Sequence, residues 1–554
     1  MSTMGSIFTL YSAKCKLILS SNTSLSKNIS CVYRQVLPFF IQNKMNKILY
    51  PFTIVFTLLL TTRATTSVAQ VPPCKPCEQM KTLDLPDVTI HTATSVNVGD
   101  NPDGKGPAKK AYCKLLGVIG TEINFELLLP ADFNGRFAMS GGGGFVGGVS
   151  NSLRGLTNDG FANAGTDVGH RKPDPSTWAL DNMERQLNFG HLAIHRTAVV
   201  CKSLISQYYC ARPTFSYFVG TSRGGGQAMM EAQRYPDDFD GIVAGAPAFN
   251  WTGFSAKFVQ IAQKLYPNGQ QSEPVLGSQH LALLQSIIMQ QFDALDGVRD
   301  TILNDPDACR LDLASLPICD GDVSGPACFT RAQMEVLKAI YLPLVKDGKQ
   351  IHAGFPLGGE DEPNGWDPWI SASKRPSSGY PSLQAYFGIE TFKYLILNDK
   401  NWNYTTYDLV NVPRDTRYAA AYLNATSTDY SAFKKRGGKM LIWQGWADPA
   451  ISALDMIEHY KEAEKVDPDL NQYVRLYLMP GVLHGGGKGP DKVNWLKTLQ
   501  DWVEKGITPN RLVASKTVNG KITLTRPVYP YPNKAVYDGT GDPMTETSYK
   551  LKDK

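Results

Sequence analysis

Phe215-Ser216-Tyr217-Phe218-Val219-Gly220-Thr221-Ser222-Arg223-Gly224-Gly225-Gly226 is the stretch that decides the fold class. A short aromatic and β-branched run enters a G-x-S-x-G turn, and the chain then continues as a helix-compatible stretch through Arg234. The reading is strand, sharp turn, helix. Glycines at 220 and 224 permit a turn tight enough to hold Ser222 in a strained, exposed position at the helix N-terminus. A bare G-x-S-x-G recurs by chance. Here the strand before it, the helix after it and the following run Gly241-Ile242-Val243-Ala244-Gly245-Ala246-Pro247 give it specificity, and Ser222 becomes the candidate nucleophile.

A serine hydroxyl attacks poorly until a base takes its proton, so a histidine oriented by a carboxylate is expected further along the chain. Of eight histidines, His484 lies in Leu478-Met479-Pro480-Gly481-Val482-Leu483-His484, a loop just past an apolar run. Asp448 lies in Leu441-Ile442-Trp443-Gln444-Gly445-Trp446-Ala447-Asp448, also a loop past an apolar run. Both then sit at strand C-terminal ends, where open α/β sheets place their sites. The glycine run Gly141-Gly142-Gly143-Gly144 follows the strand 136–140, and backbone N–H groups of Gly144 and Arg223 are the expected donors to an oxyanion. Each such donor is worth about 3–4 kcal/mol in the transition state. A dinucleotide-binding loop is excluded because no G-x-G-x-x-G opens a helix here.

Working outward, short β-rich runs alternate with amphipathic stretches, the signature of an α/β sheet with helices on its faces. Candidate strands are 122–129, 136–140, 161–166, 215–219, 241–244, 439–443 and 474–479. Between the fifth and sixth the pattern changes: Pro, Gly, Asp and Trp become frequent and strand-like runs scarce. The expected organisation is a catalytic domain made of 70–249 and 432–554, split by an inserted lid domain over 250–431.

The whole chain has 554 residues, is 42% hydrophobic and 19% charged, and carries a net charge of +5. Lys14, Lys16, Lys27, Arg34, Lys44, Lys47 and Arg63 all lie in residues 1–69, which contain no Asp or Glu, so the remainder is near neutral. A near-neutral body argues against nucleic acid as a partner, because phosphate binding needs clustered cations. From Met45 a basic Asn46-Lys47 start, an apolar run over 48–60 and Ser67-Val68-Ala69 follow in the order of a secretory signal peptide, 45–69. This run of thirteen residues, apolar except for Thr53 and Thr57, spans only about 20 Å of a roughly 30 Å hydrocarbon core, which argues against a membrane anchor. Residues 1–44 read as an upstream extension of the reading frame or a transit segment, and the expected location is secreted or periplasmic. The eight cysteines after residue 69 read as disulfide partners rather than zinc ligands; spacing leaves the connectivity open.

The chain from about Cys77 to Gly541 resembles the tannase and feruloyl esterase family, secreted serine esterases of the α/β-hydrolase fold that include a bacterial mono(2-hydroxyethyl) terephthalate hydrolase. The resemblance rests on Asn134-Gly135-Arg136-Phe137, on 164–170 ending in His170, on 216–222, on 231–247 and on Arg436-Gly437-Gly438-Lys439-Met440. It implies a triad of Ser222, Asp448 and His484 and an oxyanion hole from Gly144 and Arg223. It also implies a structural calcium held by Asp293, Asp296 and Asp300 with the carbonyls of Val298 and Ile302, and disulfides Cys77–Cys113 and Cys319–Cys328. Cys309 would pair at position 292, which is Phe292; Cys201 and Cys210 bridge each other only if the chain between them turns back. Many relatives bridge a cysteine before the serine to one after the histidine, whereas Thr221 and Gly485 stand here. His170 is read as structural.

The implied activity is hydrolysis of aromatic-acid carboxylic esters, feruloyl esterase-like, on small or plant-polymer-linked substrates. A tannase and a terephthalate-monoester hydrolase are the nearest alternatives, and a non-catalytic plant-glycan-binding protein is the alternative of another class. Trp366, Trp369, Tyr380, Tyr386 and Phe387 in the insertion either stack on an aromatic acyl group or form the insertion's own core.

Overall fold

Nine strands rich in β-branched and aromatic residues hydrogen-bond into one sheet. They are β1 Val88–Val96, β2 Tyr112–Ile119, β3 Ile123–Pro130, β4 Arg136–Ser140, β5 Ala162–Thr166, β6 Phe215–Thr221, β7 Gly241–Gly245, β8 Lys439–Gly445 and β9 Val474–Met479. Their order across the sheet is β1-β2-β3-β5-β4-β6-β7-β8-β9. The run β5-β4-β6-β7-β8-β9 is parallel, and β1, β2 and β3 add an antiparallel edge. The computed structural model describes residues 70–104, 106–171, 176–372 and 379–552. The expected extension and signal peptide, 1–44 and 45–69, lie outside the described residues.

The seven strands read from the sequence all form. The edge strand β1 and its neighbour β2 were not among them. β1 is mostly exposed, with Thr and His where an inner strand has Val or Ile, and β2 alternates buried with half-buried residues through Lys114 and Gly117. Inner strands, covered on both faces, carry the continuous apolar runs that sequence reading finds most easily.

Segment 250–431 leaves the sheet after β7 and returns at β8. Its described part contributes no strand to that sheet, only the hairpin Leu344–Lys346 with Lys349–His352. It does not stand apart: the described residues belong to one compact unit. The helix Leu383–Glu390 lies against the helix Trp251–Leu265, and Gly388 permits the approach, since a Cβ there would come within 2.8 Å of Phe258 Cβ. Gln384 on the same helix donates to the Pro449 carbonyl at 2.7 Å, and Asp455 accepts from the Ala353 N–H at 2.6 Å. The segment is thus tied to the loop that carries Asp448.

Among the described residues three disulfides close, Cys77–Cys113, Cys319–Cys328 and Cys74–Cys210. The Cys201–Cys210 alternative does not form. Residues Ala193–Tyr209 are a continuous helix that carries the two cysteines apart, and Cys210, in a left-handed turn at φ +52°, ends it facing Cys74. Cys201 and Cys309 are buried free thiols.

Candidate active site

The turn at Ser222 is as sharp as its glycines require. Ser222 has φ +63° and ψ −122°, a costly conformation for a residue with a side chain. Its N–H donates to the Gly245 carbonyl at 2.9 Å, and its own carbonyl accepts from the N–H groups of Gly226 and Ala248. A Cβ on Gly220 would lie 2.1 Å from the Gly224 oxygen, and one on Gly141 would lie 2.6 Å from the Gly224 Cα. Glycine is therefore what lets β6, the helix Arg223–Arg234 and the loop after β4 touch backbone to backbone.

His484, in the loop after β9, brings Nε2 to 2.9 Å from Ser222 Oγ. Its Nδ1 lies 2.9 Å from Oδ2 of Asp448, in the loop after β8. A carboxylate only accepts, so the ring proton sits on Nδ1, and Nε2 is left to accept from the serine hydroxyl. Asp448 is fixed from every side. Oδ1 accepts from the N–H groups of Ala450 at 2.8 Å and Ile451 at 3.0 Å, and Oδ2 also accepts from Gln444 Nε2 at 3.0 Å. Gln444 was missed by sequence reading; its signal was a polar residue inside the otherwise apolar run of β8.

The pocket over Ser222 is bounded by Gly144 and His484 and walled by Trp251, Phe254, Phe258, Trp369 and Phe387. Gly144 adopts φ +54°, and Arg223 is the first residue of its helix, where a backbone N–H has no intrahelical acceptor. Of the five insertion aromatics singled out in the sequence, Trp369 and Phe387 reach the pocket, and Trp369 meets the His484 ring edge-on with centroids 5.0 Å apart. Trp366 is buried against Tyr341, and Tyr380 and Tyr386 pack behind Phe387. His170 stacks on Trp178 and bonds the Phe145 carbonyl at 2.8 Å, which steadies the residue after Gly144.

The Arg223 side chain is fully buried. Its Nη2 donates to the carbonyls of Phe189 and Gly190, and the guanidinium lies 4.3 Å from the Phe189 ring centroid and 4.9 Å from that of Trp251. Among the described residues no carboxylate pairs with it, and burial pushes its pKa down to about 9. This cation braces the aromatic wall from behind.

The acidic loop lies elsewhere. Asp293 and Asp296 begin and end a short 3₁₀ turn, and Gly297 at φ +90° reverses the chain. Asp293, Asp296 and Asp300 each accept a backbone N–H, from Thr301, Val298 and Ile302 respectively. The second oxygen of Asp300 accepts from Arg526, a partner not read from the sequence. The second oxygen of Asp296 is buried without a partner, and burial, reinforced by Asp300 and Asp293, pushes its pKa up to about 6. The donors are those a hard cation takes, although among the described residues no group of three or more His, Cys, Asp or Glu is placed so that it could hold a metal ion.

Residues 113–551 match the family model described as tannase and feruloyl esterase. The chain belongs to the tannase and feruloyl esterase family. Membership makes it a carboxylic ester hydrolase. An uncharacterized esterase of Xanthomonas campestris is 32% identical over 84% of this chain and 89% of its own. Feruloyl esterase B of Aspergillus niger is 30% identical over 83% of this chain and 92% of its own. The mono(2-hydroxyethyl) terephthalate hydrolase of Piscinibacter sakaiensis is 29% identical over 85% and 91%. Among solved structures, feruloyl esterase B from Aspergillus oryzae superposes with a TM-score of 0.76 at 25% identity, covering 86% of this chain and all of that one. The mostly parallel sheet and these neighbours give the family member the α/β-hydrolase fold.

Proposed function

We propose that this family member is a secreted serine esterase that hydrolyses carboxylic esters of aromatic acids through an acyl-Ser222 intermediate. The observation that carries the reading is the unbroken relay Asp448–His484–Ser222, at 2.9 and 2.9 Å, opening into an aromatic-walled pocket. His484 Nε2 takes the hydroxyl proton as Ser222 Oγ attacks the ester carbonyl. The oxyanion that forms accepts from the Gly144 and Arg223 N–H groups, while Asp448 steadies the imidazolium. His484 then hands the proton to the departing alcohol. Water, activated by the same nitrogen, releases the acid and restores Ser222.

The relatives named feruloyl esterase support a feruloyl-type acyl group. Three disulfides and the absence, among the described residues, of any helix able to cross a membrane are compatible with export. Ser222→Ala should lower kcat/KM for p-nitrophenyl acetate and methyl ferulate by several orders of magnitude with the circular dichroism spectrum retained. A folded variant that keeps more than a few per cent of activity would remove Ser222 from this role.

We also propose that the acidic loop takes a structural calcium through Asp293, Asp296 and Asp300 with the Val298 and Ile302 carbonyls. The orphaned Asp296 oxygen supports it. Bound calcium would neutralise the crowded carboxylates and take no part at Ser222. EDTA should lower Tm and calcium restore it, a response lost in Asp296→Ala; unchanged melting and no calcium by elemental analysis would refute the site.

A further inference from the structure

The two oxyanion donors assigned to the site come from different parts of the chain. Arg223 opens the helix Arg223–Arg234, and Gly144 ends the glycine run after β4. Such donors act only when both are aimed at one point before the ester arrives. Consecutive glycines carry no Cβ to restrict φ and ψ, so the aim of Gly144 must be set by what holds the run from outside. Three backbone ties are in place. Gly141 N–H donates to the Val219 carbonyl of β6 at 3.0 Å, Val146 N–H closes back on the Gly143 carbonyl at 2.9 Å, and the Phe145 carbonyl is bonded by His170.

Gly142 is held by a side chain. Its N–H donates to Oε1 of Gln227 at 3.1 Å. Gln227 is buried and lies on the helix Arg223–Arg234, four residues after Arg223 and hence on the same face. One side chain therefore joins the helix that presents one donor to the loop that presents the other. A backbone N–H only donates, so the amide oxygen faces Gly142. Among the described residues its Nε2 is buried without an acceptor. A half-satisfied buried amide costs stability, and the oxygen is the part that makes a contact. The approach is close: a Cβ on Gly141 would lie 2.9 Å from that oxygen and 2.6 Å from the Gly224 Cα. Backbone contact stops the loop from moving toward the helix, and Gln227 stops it from moving away.

We propose that Gln227 is a positioning residue for the oxyanion hole, its Oε1 fixing Gly142 and through it the aim of the Gly144 N–H relative to that of Arg223. The proposal rests on Ser222 being the nucleophile with those two donors and adds a residue to that site. Gln227 does not bound the pocket over Ser222, so it acts through the backbone and not on the substrate.

The test compares three variants of the full chain. Gln227→Met keeps the length and drops the acceptor, Gln227→Asn keeps an amide one methylene short of Gly142, and Gln227→Glu keeps an acceptor oxygen at the same reach. Each is assayed for kcat and KM on p-nitrophenyl acetate, for Ki of benzeneboronic acid and for Tm. The boronic acid adds to Ser222 Oγ, and an oxygen of the tetrahedral adduct takes the place of the oxyanion. The Met and Asn variants should lower kcat about 10- to 100-fold, the scale of a donor misplaced by about 1 Å. The boronate Ki should rise by a similar factor while KM stays within about twofold, a split that a general loss of packing would not give. The Glu variant should keep kcat within about threefold of wild type. A folded Met or Asn variant as fast as wild type overturns the proposal, as does a fall in kcat with the boronate Ki unchanged, or a Glu variant as slow as the Met one. If neither Met nor Asn folds, Gln227 is a core residue first and the proposal falls. No ester turnover by the wild-type protein overturns the nucleophile reading and this proposal with it.

Discussion

Replacing Asp448 by asparagine changes one atom, and the structure says which way that atom must face. Oδ1 meets two fixed backbone N–H donors, from Ala450 and Ile451, so the asparagine oxygen takes that side. Its NH₂ then points at His484 Nδ1 and at Gln444 Nε2. Donating to Nδ1 forces the ring proton onto Nε2, and a protonated Nε2 has no lone pair for the Ser222 proton. The same tautomer trap in a serine protease lowers kcat about 10⁴-fold, or about 5.5 kcal/mol of transition-state stabilisation. Stability should suffer far less. The new conflict is one donor facing the Gln444 amide, about 1–3 kcal/mol; turning Gln444 over relieves it only by taking its N–H from the Ile451 carbonyl. Unfolding entropy for about 480 residues is roughly 1 kcal/mol per degree, so Tm should fall by about 1–3 °C. The assay is kcat and KM on p-nitrophenyl acetate from pH 7 to 10, with Tm measured on the same preparation. The residual rate should climb with pH as hydroxide replaces the missing base. A variant that keeps more than a tenth of wild-type kcat would refute the tautomer argument, and a Tm loss above 10 °C would make Asp448 a structural residue first.

Removing the Cys74–Cys210 bridge with serines at both positions opens a loop of 136 residues, for which chain entropy gives about 5 kcal/mol and hence about 5 °C of Tm; a shift under 1 °C by calorimetry would contradict it. Glu231 is fully buried, and desolvation with the Asp238 carboxylate nearby holds its pKa well above the usual range. From about pH 4.3, where the unfolded chain loses this proton, up to its raised folded value, the folded state keeps a proton the unfolded state has shed, so stability falls as pH rises. Glu231→Gln should flatten that slope in Tm against pH; an unchanged slope assigns it to another group.

The sequence by itself carried the inner sheet and the relay. β4, β6, β7, β8 and β9 are largely buried on both faces and so read as mostly apolar runs, and the relay residues fall in loops at the C-terminal ends of three of them. The candidate nucleophile, base and orienting carboxylate could be named because chemistry restricts such roles to few residue types, and only eight histidines had to be weighed. What the sequence left open are matters of which surfaces meet. Whether Trp369 and Phe387 or their neighbours face the serine depends on how Gly388 seats one helix on another and how Gln384 ties it to Pro449. Cys74 finds Cys210 across 136 residues because a helix end happens to turn toward it, and Arg526 reaches Asp300 from 226 residues away. Gln444 beneath Asp448 and Arg223 behind Trp251 are buried polar groups whose partners are carbonyls, a carboxylate and ring faces. Local pattern records how much of a residue is buried. It does not record against what, because long-range pairing is fixed only when the chain closes on itself.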